Sequence, residues 1–143
     1  MNVPLLIGGA VLSFGVALLH VVIIFFGAPA YRYFGAGEQM VSMAERGSVI
    51  PAVLTLGLVG VFVAFGGYAL AAAGVVKGLR LPFVHWVVFA IAAIYSLRGL
   101  MSVSGLFLLI SGFDIVSSLI SLGIGVVHFL GLYWNRVRRL LIS

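Results

Sequence analysis

The sequence predicts an all-α membrane protein: an antiparallel bundle of four transmembrane helices forming a single domain over residues 1–143. Three observations carry that expectation. The chain is 64% hydrophobic and only 8% charged, whereas soluble domains carry about 25% charged residues. Its mean hydropathy is +1.32. Four apolar stretches reach the ~20 residues a helix needs to cross the hydrocarbon core of a bilayer.

The first span is read as Val3–Ala28, with Asn2 as N-cap, Pro4 in the first turn and Pro29 closing it. Ala28-Pro29-Ala30 imitates a signal-peptidase site. The lead has no Lys or Arg, however, and its apolar run exceeds the roughly 7–15 residues of a signal-peptide core, so a retained span is expected. The second span is Ser48–Val76, with Pro51 in its opening turns. Along it Gly57, Gly60, Ala64, Gly67 and Ala71 form a stripe of small residues, the kind of surface that lets helix backbones approach closely in lipid. The third span is Leu81–Val103, started by Pro82. The fourth is Ile115–Trp134, with Asp114 as N-cap. Between these last two, Gly105–Gly112 is too short to span and too apolar for a solvated loop, so it reads as an interfacial turn or an extension of the third span.

The net charge of +5 comes from eight Lys and Arg spread over apolar helices. They make no basic face, so a nucleic-acid partner is not expected. They set topology instead. Lys77 and Arg80 lie in the second connection and Arg136, Arg138 and Arg139 in the tail, while the first connection balances Arg32 and Arg46 against Glu38 and Glu45. The positive-inside rule puts both termini in the cytoplasm, with an outer connection of about 20 residues on the far side. Tyr31, Tyr33 and Phe34 at one boundary, and Tyr133 and Trp134 at the other, match aromatic belts. The absence of cysteine excludes thiol–disulfide, iron–sulfur and cysteine-ligated zinc chemistry.

Arg98 is the most informative single residue. It lies about sixteen residues into the third apolar run, ~24 Å along a helix, at a depth where a charge is expensive and normally faces the bundle interior. At similar depth stand His20, Tyr95 and Ser96, with Asp114, Glu38 and Glu45 near the boundary above. Two readings follow. In one, Arg98 is a structural tie to an acid, and such a pair need not add net stability. In the other, Arg98 attracts a lipid phosphate, a carboxylate or a quinone oxygen, for which its permanent charge and forked donors suit it.

Two helices also share a local pattern. Ser13-Phe-Gly15-Val-Ala17-Leu-Leu-His20 matches Ser121-Leu-Gly123-Ile-Gly125-Val-Val-His128. In each, the small residues and the His fall on one helical face, as in an inverted repeat about the bilayer midplane, although chance is a serious competitor because Gly, Ser and Val dominate both segments. By helical rise His20 and His128 differ by ~15 Å in depth, which disfavours a shared haem. His85 and His128 come within ~6 Å in depth, leaving a haem or metal at that pair as the cofactor alternative; otherwise no cofactor is expected. The competing reading for each is a neutral imidazole bonded to a neighbouring Ser or carbonyl.

No paired carboxylates, metalloprotease helix or phosphate loop occurs; Gly35-Ala36-Gly37-Glu38 is a short Gly turn. Gly35-Ala36-Gly37-Glu38, Tyr68-Ala69-Leu70 leading to Ala73-Gly74, Leu81-Pro82 and Arg98-Gly99 resemble the short uncharacterised bacterial inner-membrane proteins with four helices, over roughly residues 15–135. The resemblance implies a bacterial inner-membrane location and four helices, and transfers no activity. The expectation is therefore a non-enzymatic, multi-pass inner-membrane protein that binds a lipid-like or anionic ligand at an outer-leaflet pocket, or serves as an accessory subunit. The site residues are Arg98, His20, Tyr95, Ser96, Asp114, Glu38 and Glu45, with His128, Ser121 and His85 secondary. A small oligomeric transporter or channel is the alternative. It lacks the intramembrane carboxylate expected for cation coupling. Membrane lipid, further copies of the chain or a larger membrane complex are the expected partners.

Overall fold

The computed structural model describes the backbone of residues 3–76, 81–104 and 112–142, and the side chains of 4–76, 81–100, 115–134 and Val137. Asn2, Lys77, Arg80, the apolar segment 105–111, and the side chains of Asp114, Arg136, Arg138 and Arg139 lie outside the described residues. The described chain is all-helical: α1 (Val3–Phe26), α2 (Ala28–Tyr33), α3 (Glu38–Glu45), α4 (Ile50–Ala73), α5 (Val84–Ser104) and α6 (Gly112–Ile142). Pro4–Phe26, Ile50–Ala73 and Ile115–Trp134 are long and apolar enough to cross a membrane, and Val84–Leu100 is a shorter apolar helix. Large apolar side chains such as Phe25, Val53, Leu56, Leu97 and Ile120 are exposed along these helices. Hydrocarbon, unlike water, leaves such a surface without penalty.

Several boundaries differ from those read off the sequence. α1 stops at Phe26 because Gly27 turns left-handed (φ 64°) while its N–H still bonds the Ile23 carbonyl at 2.9 Å. Only a residue without a Cβ adopts that geometry cheaply. Pro29 therefore does not close α1. It sits in the first turn of α2, where its missing N–H costs nothing. α4 ends in the same way at Gly74 (φ 69°). Pro82 does not start α5 either: it lies in the preceding turn, Phe83 takes a positive φ of 52°, and α5 begins at Val84. The last helix begins at Gly112, so Asp114 lies inside its first turn rather than capping it, and it runs through the basic tail to Ile142.

The chain divides into two compact units, Met1–Ser13 with Phe65–Ser143, and Phe14–Ala64. In the second, the connection after the first span consists of two short helices, α2 and α3, packed against each other. Ile23, Ala30, Tyr31 and Val41 form its buried cluster, with Phe34, Met40 and Ala44 against it. Tyr31 is thus a core residue and not part of an aromatic belt. Thr55 donates its hydroxyl proton to the Pro51 carbonyl (2.8 Å), so in the 3.1 Å contact between Tyr31 Oη and Thr55 Oγ1 the tyrosine is the donor. On the surface, Arg32 donates to Glu45 at 2.7 Å.

In the other unit Leu6, Ala73 and Val88 are fully buried, flanked by Tyr68, Val84 and Leu132. Gly131 lies against Leu6 and Gly9 against His128. Numbers rising on α1 meet numbers falling on α6, so these helices are antiparallel. α5 and α6 are antiparallel as well: a Cβ on Gly99 would come within 2.8 Å of Leu122 Cβ, and one on Gly125 within 3.0 Å of the Ala92 carbonyl. Close approach in this unit therefore rests on Gly9, Gly99, Gly125 and Gly131. On the α4 stripe expected to pack, the glycines meet no described neighbour. Gly57, Gly60 and Gly67 have open space where a Cβ would stand, and Ala64 is exposed.

Candidate functional site

Arg98 lies on α5 one helical turn from Tyr95, and its side chain is exposed. Its Nη1 donates to Ser121 Oγ on α6 at 3.0 Å. The contact follows from local sequence: Gly99 brings α6 close enough for Ser118 and Leu122 to touch α5, and Ser121 shares that face.

One turn deeper, the same pair of helices meets α1 in a buried polar cluster. Tyr95 is 4% exposed, and Ser13 and His128 are 0%. The Tyr95 and His128 rings are nearly parallel, 20° apart in plane with centroids at 6.0 Å, and Phe65 packs edge-on to Tyr95 at 5.9 Å. The hydroxyl of Ser13 lies beside that of Tyr95. His128 lies over Gly9, where a Cβ would come within 2.8 Å of Cε1 and 2.9 Å of Nε2. His128 Nδ1 is 2.9 Å from the Ile124 carbonyl. A carbonyl can only accept, so Nδ1 carries the proton and Nε2 of the neutral ring is a bare acceptor. Ser13 Oγ and His128 Nε2 have no hydrogen-bond partner of good geometry among the described residues. A buried polar atom in that state costs about 1–3 kcal/mol.

The structure distributes the residues singled out from the sequence over both units. Tyr95, Ser96 and Arg98 share α5, and Ser121 and His128 face it from α6. His20, Glu38 and Glu45 belong to the other unit. There His20 Nδ1 donates to the Val16 carbonyl at 2.8 Å with its ring 4.9 Å from Phe62, Glu45 holds Arg32, and Glu38 is exposed in the first turn of α3. Ser96 is half-buried against Gly125. His85 is exposed at the start of α5. Because His128 stacks on Tyr95, it stands level with a point ten residues further along α5 than His85, ~15 Å by helical rise. Two imidazoles so offset do not reach one metal with bonds of ~2 Å. Among the described residues no group of three or more His, Cys, Asp or Glu is placed to hold a metal ion.

The two copies of the Ser…His pattern behave alike locally. Both serines are buried, both histidines bond the carbonyl four residues back, and Gly15 and Gly123 both face open space. What sequence reading missed is Gly9 and the role of Ser13. Their spacing of four places both on one face of α1, a signal visible beforehand, but nothing in the sequence said which helix that face meets. No protein-family model matches the chain, and no curated protein or solved structure matches it.

Proposed function

We propose that this chain is a small bacterial inner-membrane protein, an antiparallel bundle of four spans with both termini cytoplasmic, that binds a lipid-like or anionic ligand at Arg98. The observation that carries the reading is the Arg98 guanidinium itself: a permanent charge exposed on an apolar helix, donating to the uncharged hydroxyl of Ser121. A charge at that depth is costly unless it meets water, an acid or an anionic group, and Arg matches a phosphate or carboxylate with paired N–H bonds. The antiparallel run of α1 and α6 supports termini on one side, and the basic residues at 77, 80, 136, 138 and 139 support the cytoplasmic side.

Native mass spectrometry of gently extracted protein tests the ligand. Retained anionic lipid in the wild type, lost in a folded Arg98→Met variant and partly kept in Arg98→Lys, is the expected result. Equal lipid retention in wild type and Arg98→Met would exclude the reading. Orientation is tested separately, with cysteines placed at Gln39 and Lys77 and an impermeant maleimide applied to intact cells. Labelling is expected at Gln39 alone.

A second reading, a small transporter, is favoured by one observation: polar side chains from α1, α5 and α6 meet in the interior at Ser13, Tyr95 and His128. Flux of a charged solute into vesicles holding the protein separates it from the first.

A further inference from the structure

We propose that Ser13, Tyr95 and His128 form an internal hydrated site in which one water donates to His128 Nε2 and bonds the hydroxyls beside it. This goes beyond the Arg98 reading and stands without it. The argument starts from the tautomer. Nδ1–H is committed to the Ile124 carbonyl at 2.9 Å, so the lone pair of Nε2 requires a donor. Both Nε2 and Ser13 Oγ are buried, and neither finds a partner of good geometry among the described residues. Helical packing has brought three hydrogen-bonding groups from three helices to one place, the Ser13 and Tyr95 hydroxyls and the His128 imidazole. Two to four polar partners are what a buried water needs.

The surroundings define which occupant the site takes. α1 turns Gly9 and Ser13 towards it, α5 turns Tyr95, and α4 supplies Phe65 against Tyr95. Arg98, one turn further along α5, is drawn to Ser121. Among the described residues, no carboxylate stands beside these groups. Asp114 is fourteen residues back along α6, ~21 Å by rise, and Glu38 and Glu45 belong to the other unit. A site of two hydroxyls and one bare imidazole nitrogen, with no acid and no second imidazole beside it, lacks the ligand set of a metal cation. It suits a neutral donor, and water is the donor that fits hydroxyl and imidazole alike.

Magic-angle-spinning NMR of the full chain with ¹⁵N-labelled histidine in lipid bilayers tests this, with the His128 resonances identified by their loss in His128→Gln. The wild type is expected to show a neutral ring protonated at Nδ1, with magnetisation passing from water protons to Nε2. In Ser13→Ala that transfer should fall several-fold, and Tyr95→Phe provides the same comparison if Ser13→Ala does not fold. A proton resident on Nε2, no transfer from water in the wild type, or unchanged transfer in the folded variant would each overturn the proposal.

Discussion

The His128 ring lies against Gly9, with the position of a Cβ at Gly9 only 2.8 to 3.1 Å from three ring atoms. That relationship joins the first and last helices at a buried polar side chain. It makes a glycine of no obvious importance in the sequence a determinant of how α1 seats on α6.

Substitution at Gly9 should therefore be costly. Gly9→Val puts three carbons into space the imidazole occupies, and overpacking of this kind costs typically 1–3 kcal/mol. The expected outcome is a clear drop in thermal stability in detergent, larger than for Gly8→Val, whose Cβ would meet nothing within 4 Å. Equal effects at the two positions would show that α1 does not seat on α6 through Gly9.

Gly60→Leu should behave differently. Its Cβ enters open space in the chain, so the fold should keep its stability apart from helix propensity, which favours Leu over Gly by up to ~1 kcal/mol. If the α4 stripe meets another copy, the larger side chain will change the subunit count seen by native mass spectrometry. An unchanged count with unchanged stability would assign the stripe to lipid.

Tyr31→Phe removes the donor to Thr55 while leaving the ring in its cluster. Thr55 keeps its bond to Pro51, so no buried proton is orphaned. The expected loss is about 0.5–1.5 kcal/mol, the ordinary net worth of a hydrogen bond, measured as unfolding midpoint. Thr55→Val should cost at least as much, since it strips Tyr31 of its acceptor.

The Arg32–Glu45 pair is more than 45% exposed on both sides, at 57% and 49%, and it ties α2 to α3 outside the apolar spans. Exposed pairs contribute roughly 0.2–1 kcal/mol and weaken with salt. A double-mutant cycle with Arg32→Gln and Glu45→Gln should return a coupling in that range at low salt and near zero at 0.5 M. A coupling above about 2 kcal/mol would mean that the pair is shielded from solvent.

By itself the sequence determined the helical class and the membrane-compatible apolar helices. Those properties are local: apolar length, Pro and Gly positions and charge placement act through backbone geometry and transfer free energy one segment at a time. Arg98 was legible as exceptional for the same reason, since its cost depends only on depth along one helix. Tertiary structure alone decided which faces meet. It paired Arg98 with Ser121, set Ser13 and His128 beside Tyr95, gave Glu45 to Arg32 and His20 to Val16 and Phe62, and left the α4 stripe uncovered. On helices this uniformly apolar, no amphipathic contrast marks an inner face. The choice falls instead to small differences in shape, such as a glycine under a histidine ring, which become visible only once both helices are in place.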